Sequence, residues 1–320
     1  MAVDFSAATL SASTDLNALR GKVRLRPTIF LGLGGTGSIA TYNVYQLFSR
    51  VFPPLREVGQ VSPIPECIRF LCFDSDTTSR PEDFAIGDQW HKLESDLQDE
   101  DLESLKHQEF YRDWASDASK HRFESGCGGK RGYGRILFSR NATKFHTQMT
   151  IAMDAAMSSP RLEDQRPVIY IFAGLAGGTG SGSLLDACFI IRRYFRNAEV
   201  IGFLGLLPGN WPDEARNQNA KLGVYSCLRD LDYFMDDATE KEHYPRGRTF
   251  LYPTGDVIEG VYERPFDTCF LLTPHDADGG YRLQESAKVS AFMARCAFYL
   301  SAYAPNVQAG DRTYDAVITV

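Results

Sequence analysis

Five glycines fall within the nine residues from Gly174 to Gly182, interleaved with Thr179 and Ser181 and followed by Ser183. A segment with so few side chains can bring several backbone N–H groups onto one anion, and the hydroxyls can donate beside them. The candidate donors are Gly177, Gly178, Thr179, Gly180, Ser181 and Gly182. A side chain at Gly178 is expected to fill the space of a bound phosphate. Two more clusters repeat the theme. GLGGTGS, Gly32 to Ser38, offers Gly34, Gly35, Thr36, Gly37 and Ser38, and GCGGKRGYGR, Gly126 to Arg135, offers Gly128, Gly129, Lys130 and Arg135. Asp74 and Asp76 flank Ser75 between the second and third of these stretches. The G-x-x-x-x-G-K-[ST] pattern is absent and no lysine lies within 174–183, so the cradle relies on backbone amides and hydroxyls rather than a P-loop lysine. Cys127 sits inside the third cluster without a base beside it, which argues against a reactive thiol.

The elements around these clusters read as strands and helices in turn. Thr28–Leu33 is an apolar strand, and Ile39 to Val51 carries a helical period that ends at Pro53-Pro54. Cys67–Phe73 is the next strand, and Val168–Ala173 a buried one leading into a helix that starts near Leu184. Ile136–Met157 reads as one helix, Val200–Leu207 as a strand, 214–236 as a helix, and Phe270–Leu272 as part of a further strand. Residues 284–303 form a strongly periodic apolar helix. Segments 82–122 and 237–265 interrupt the pattern, the first as an acidic, solvated helical excursion, the second as an inserted hairpin. Residues 1–26 read as a flexible arm. Alternating strands and helices predict an α/β fold, a doubly wound and mainly parallel sheet with helices on both faces. Each glycine cluster is expected just after a strand, so that all meet at the carboxyl edge where such sheets take ligands.

Composition narrows the function classes. The chain of 320 residues is 43% hydrophobic and 12% aromatic, enough for a sizeable core, and its net charge is −7. That charge argues against a nucleic-acid binder. No segment is apolar and long enough to span a membrane, and no secretory signal opens the chain. The seven cysteines form no C-x-x-C pair and several lie in apolar runs, as thiols do in a reducing compartment. A cytoplasmic protein is expected. Histidines 91, 107, 121, 146, 243 and 275 show no metal-ligand spacing.

The segment AGLAGGTGSGS, Ala173 to Ser183, resembles the G-G-G-T-G-[ST]-G signature of tubulin and FtsZ, with Ala176 in place of the first glycine. The likeness continues in register. GLGGTGS resembles the first FtsZ loop, although Ile39 stands where an asparagine usually helps hold the nucleoside. Asp74-Ser75-Asp76 falls where FtsZ has Asn-Thr-Asp, and GCGGKRGYGR resembles the loop around the terminal phosphate, with its proline replaced near Arg131. NWPDEARNQNAKLG, Asn210 to Gly223, resembles the ribose loop and its helix. Asn210 and Arg216 are in register, and Pro212 replaces the ribose glutamate, with Asp213 adjacent. FDTCFLLTPHD resembles the strand before the central helix and puts Asp276 at the base-reading position. The resemblance covers about residues 28–303 and is nearest to divergent bacterial tubulin-like proteins.

The resemblance implies a tubulin/FtsZ-like GTPase domain over 27–303 that binds GTP/GDP and, through Mg²⁺ held on the phosphates near Asp76, hydrolyses GTP to GDP and phosphate. It also implies head-to-tail assembly into filaments, with an acid of the next subunit positioning water. Asp311 and Asp315 are the acids at hand after the central helix, and they would act in trans. Residues 304–320 read as the start of a missing or truncated second domain. Other proteins are expected to dock, if at all, through the N-terminal arm or the acidic excursion. Two alternatives stay open: a GTP-sensing scaffold that does not polymerise and hydrolyses weakly, and a Rossmann or ThiF-type dinucleotide or adenylating enzyme, which the G-x-G-x-x-G of the first cluster equally suits.

Overall fold

A computed structural model describes residues 26–52, 64–84, 88–94, 126–158, 166–206, 214–235, 248–251, 257–261, 264–273 and 286–303. The elements in chain order are β1 (Thr28–Leu33), α1 (Gly34–Val51), β2 (Ile68–Asp74), β3 (Trp90–Lys92), α2 (Arg131–Arg140), α3 (Ala142–Met157), β4 (Val168–Gly174), α4 (Gly178–Tyr194), β5 (Glu199–Gly205), α5 (Glu214–Met235), β6 (Arg248–Leu251), β7 (Val257–Val261), β8 (Thr268–Leu272) and α6 (Ser286–Tyr303). Six strands form one sheet in the order β3-β2-β1-β4-β5-β8, and every pairing in it is parallel. The strand order reverses between β1 and β4, which creates a switch point at their carboxyl ends. β6 and β7 pair antiparallel as a separate two-stranded sheet.

The strands are apolar on both faces because helices cover both, and successive side chains divide between two cores. Ile29, Leu31, Leu33, Ile169, Ile171 and Ala173 face the core closed by α2, α3, α4 and α5. Phe30, Val168, Tyr170 and Phe172 face the core closed by α1 and α6. On that second face an aromatic band crosses the sheet: Phe70 to Phe30 at 5.5 Å, Phe30 to Tyr170 at 5.1 Å, Phe172 to Phe203 at 5.7 Å, and Phe203 to Phe270 at 4.9 Å. Large flat side chains in register on adjacent parallel strands bury much area and hold the strand order around the switch point.

Four details differ from the sequence reading. The helices begin at Gly34, Arg131 and Gly178, several residues before the apolar periods start, so the glycine-rich segments are largely first helical turns. The helix expected over 136–157 is two helices meeting at Asn141. Within the acidic excursion, Trp90–Lys92 is an edge strand of the sheet. Residues 85–87 and 95–122 of that excursion lie outside the described residues. Arg26, assigned to the arm, is tied to the sheet: its guanidinium pairs with Glu199 at 3.0 Å and donates to the Arg166 carbonyl. Residues 1–25 and 304–320 are outside the description. Among the described residues no helix is long and apolar enough to cross a membrane.

Candidate functional site

The switch point is where the first two glycine clusters meet. β1 runs straight into α1 and β4 into α4, and the two helix starts touch. A β-carbon on Gly34 would lie 2.7 Å from the Gly180 nitrogen, one on Gly37 would fall on the Phe172 carbonyl, and one on Gly174 would lie 2.7 Å from Thr36 Oγ1. Gly34 also has φ +69°, a conformation open to glycine at little cost. Glycine is therefore required here so that two backbones can lie against each other.

The third cluster closes the joint from the β2 side. Gly126, Gly128 and Gly129 all have positive φ, at +85°, +56° and +77°, and curl the chain into a tight turn closed by Lys130 N–H donating to the Cys127 carbonyl at 2.9 Å. This turn leads into α2, which packs along α4. β-carbons at Gly134 and Gly182 would fall on the backbones of Gly178 and Arg131. Ser75, Thr179 and Cys127 then tie the three segments together. Ser75 Oγ and Thr179 Oγ1 share a hydrogen bond of 2.6 Å, Cys127 Sγ donates to Ser75 Oγ at 3.6 Å, and Thr179 Oγ1 lies 3.5 Å from Cys127 Sγ. Burial pushes the Cys127 thiol up to about 11, so it stays protonated and serves as a donor rather than a nucleophile.

The electrostatics of the assembled edge favour an anion. α1, α2 and α4 start here with no side-chain cap and no acidic residue in the first turn. Helix N-termini carry a partial positive charge, which favours an anion beside them. Gly35, Thr36, Asp76, Gly128, Gly129, Lys130 and Gly177 are partly or fully open to solvent, and they outline the mouth.

Several predicted contacts have another role. A β-carbon at Gly178 would sit 2.7 Å from Cys127 Cβ and 2.9 Å from the Lys130 carbonyl, so Gly178 is small enough to admit the turn. The hydroxyls of Ser181 and Ser183 bond back to the carbonyls of Gly177 and Thr179 in their own helix, and that of Thr179 is engaged by Ser75. Hydroxyls expected to face an anion thus stabilise the scaffold. Ser38 is fully buried: its carbonyl accepts from Cys72 Sγ, and its hydroxyl has no hydrogen-bond partner among the described residues. Arg135 Nε donates to Asp186 at 3.0 Å, pinning α2 to α4, and Arg131 pairs with Asp230 of α5 at 2.6 Å. Asp74 accepts from the Ser75 and Asp76 amides, and Asp76 Oδ1 accepts from the Thr78 amide and hydroxyl, so both carboxylates shape the turn after β2.

Among the described residues no group of three or more His, Cys, Asp or Glu is arranged to hold a metal ion. Asn210, Asp213, Asp276, Asp311 and Asp315 lie outside the described residues, and Arg216 falls in α5 with its side chain undescribed. Sequence reasoning missed Ser75 as a clasp, Cys127 as its third member, and Asp186 as the anchor of Arg135. Asp186 had one signal, an acid in an otherwise apolar helix eight residues after Gly178.

A parallel sheet whose switch point gathers three uncapped helix starts defines a doubly wound α/β protein with its site at the carboxyl edge. The sequence matches the profile of a family described as tubulin like over residues 29–315, and the chain belongs to that family. Among solved structures it is similar to TubZ of Bacillus thuringiensis serovar israelensis, in a GTPγS-form protofilament, at 13% identity and a TM-score of 0.49 over 89% of this chain and 58% of that one. It is also similar to CetZ2 of Haloferax volcanii, in a GTPγS-bound protofilament, at 14% identity and a TM-score of 0.46 over 86% of this chain and 57% of that one. CetZ of Methanosaeta thermophila gives 13% identity and a TM-score of 0.48 over 90% and 56%. The chain therefore spans a little under three fifths of the length of each of these proteins. No curated protein matches it.

Proposed function

We propose that the chain binds GTP at the carboxyl edge of its sheet, hydrolyses it with Mg²⁺, and assembles head to tail. The observation that carries the binding is the convergence of three helix N-termini with neither caps nor first-turn acids on a glycine-lined mouth. The donor set suits a triphosphate, because backbone amides and helix dipoles hold phosphate oxygens without needing a P-loop lysine. In this reading the amides of Gly34 to Thr36 and of Gly178 to Gly180, in the first turns of α1 and α4, meet the inner phosphates, and those of Gly128 and Gly129 meet the terminal one, while the Lys130 amide closes the turn onto Cys127. Asn210, Asp213 and Arg216 would hold the ribose and Asp276 the base, as the tubulin and FtsZ likeness implies. Mg²⁺, when bound, supplies neutralisation of charge on the β- and γ-oxygens. It would be held mainly by the phosphates and water, as that ion commonly is, with Asp76 as the candidate protein carboxylate. Asp311 and Asp315 are the proposed water-positioning acids, acting on the nucleotide of a neighbouring subunit.

Gly177 gives the decisive test. It is the N-cap of α4 with φ −85° and ψ 148°, the conformation that a capping aspartate adopts, and a β-carbon there meets nothing closer than 3.7 Å. Gly177→Asp should therefore keep or raise the melting temperature while placing a carboxylate where the phosphates belong. GTP binding measured by calorimetry should be lost. Unchanged affinity in a variant that melts normally would put the nucleotide elsewhere. A second reading, a GTP-sensing scaffold with slow hydrolysis, is favoured by the engagement of Asp74 and Asp76 in their own turn. Membership in the tubulin-like family weighs against the dinucleotide or adenylating alternative.

A further inference from the structure

α5 turns opposite faces to the core and to solvent. Ala220, Gly223, Cys227 and Leu231 are buried at the three- and four-residue spacing of one helix face, with Gly223 set against the Leu175 carbonyl. Asp230 pairs with Arg131, which ties the helix to α2. The far face repeats that spacing with residues a solvated helix seldom gathers. Leu222 is 63% exposed and Tyr225 61%, and Tyr233 stands about two turns further along the same side. Arg229 lies between them with its guanidinium 5.9 Å from the centre of the Tyr225 ring. Lys221 and Asp232, both exposed, border the stripe at its two ends, and among the described residues neither is paired. Apolar residues exposed singly are ordinary, but a stripe running along about 17 Å of helix marks a contact surface.

We propose that this face is a two-fold contact with a second copy of the chain, α5 lying antiparallel on α5 about an axis at Cys227. The charges select both the occupant and the direction. Reversed about residue 227, Lys221 comes opposite the partner's Asp232, Leu222 opposite the partner's Tyr233, and Tyr225 opposite the partner's Arg229. Each pairing occurs twice, as an isologous contact requires. Side by side in the same direction, Lys221, Arg229 and Asp232 would each meet their own like, and such juxtaposition is costly. Near the axis each Tyr225 ring gains a second guanidinium, and each Arg229 a second ring. Burial of the rings and of the long charged stems supplies the attraction, while the Lys221–Asp232 pairs fix the direction. A contact of this length is small among specific interfaces, so the dimer forms and parts with concentration. It calls on no residue of the glycine-lined mouth and so needs no nucleotide.

The test is sedimentation equilibrium of the intact chain, stripped of nucleotide and held in EDTA so that nucleotide-driven assembly is silent. Wild type should show a monomer–dimer equilibrium that weakens as salt is added. Lys221→Asp or Asp232→Lys alone should raise the dimer dissociation constant at least about fivefold, because symmetry replaces two attractive pairs by two repulsive ones. The double variant should return to within about twofold of wild type. Residues 221 and 232 lie about 17 Å apart along one helix, so that rescue cannot arise within a single chain. Tyr225→Ala should weaken the dimer by about fivefold or more, and it provides the second cut if thermal melting shows a charge reversal to be unstable. A wild-type chain that stays monomeric at several hundred micromolar, a dimer that survives all three single substitutions, or a double variant as weak as the singles overturns the contact. None of these outcomes bears on the nucleotide reading, which the Gly177→Asp titration tests separately.

Discussion

A β-carbon at Gly134 would land on the Gly178 carbonyl, and no rotamer change relieves a clash with main chain. Gly134→Ala should destabilise the fold by about 1–3 kcal/mol or more through overpacking, read as a lower urea midpoint. His91 answers to pH instead. It is 2% exposed, stacked on Phe73 at 4.9 Å, and its Nε2 has no hydrogen-bond partner among the described residues. Burial holds its imidazole below the ordinary 6.5; the backbone hydrogen bond with Asp88 opposes this, the Lys144 ammonium adds to it, and the Asp88 carboxylate opposes it. The folded state thus binds fewer protons than the unfolded chain, so stability is full above about pH 6.5 and declines as pH falls through that value toward the lowered folded pKa. The melting temperature should drop between about pH 7.5 and about pH 5.5, and by less in His91→Gln. Equal slopes for the two proteins would remove His91 from the account. At this scale the chemistry of the site was legible only in part. Glycine spacing reveals that backbones come close, but Gly178 against Cys127 and Gly177 open to the mouth look alike in a string of letters. Likewise Ser181 and Ser183 appear as ligand donors until their hydroxyls are seen bonding to carbonyls one turn back.

Asn141 divides what periodicity reads as a single helix. The apolar positions Ile136, Leu137, Phe138, Phe145, Met149, Ala152 and Met153 all face one core, so the pattern carries no trace of the break. The cause lies outside the helix. Asn141 Oδ1 accepts from the Glu94 amide at 2.9 Å, while Nδ2 donates to the carbonyls of Leu137 at 2.8 Å and Glu94 at 3.2 Å. The side chain thereby docks the segment following edge strand β3, which Lys144 reinforces by reaching the Lys92 carbonyl and the Glu94 carboxylate. Asn141→Ala should cost about 1–3 kcal/mol, because it orphans buried groups that a helix interior would not have required. Faster hydrogen exchange at residues 90–94 than in wild type is the local readout; unchanged exchange there would mean that β3 is held by its pairing with β2 alone. Among the elements, strands were the legible part. Apolar runs bounded by glycine or acidic pairs leave few other readings, whereas helix starts hidden inside glycine-rich segments depend on contacts distant in sequence.

At the scale of the molecule, the central question is how a site at one edge of the sheet reaches the rest of the chain. α6 packs along α1, and Ser290 Oγ donates to the Thr36 carbonyl in the first turn of α1 at 3.1 Å. Met293 and Val289 lie against Gly205 at the end of β5, with Met293 Cε 3.0 Å from where a β-carbon would be. A rearrangement of the first turn of α1 around bound phosphate would therefore pull directly on α6, the last described element before Asp311 and Asp315. If those acids serve the nucleotide of a neighbouring subunit, each molecule is inactive alone and the contact that completes the site is heterologous, which propagates into an open filament. Concentration is then the control variable. GTP turnover per molecule, assayed with Mg²⁺, should rise with protein concentration in step with light scattering. Asp311→Asn or Asp315→Asn should suppress turnover while leaving GTP affinity within about twofold, because neither acid would touch the nucleotide of its own subunit. Turnover that is constant per molecule across concentration would mean a site complete within one chain, or one that only senses GTP, and the head-to-tail model would have to be abandoned.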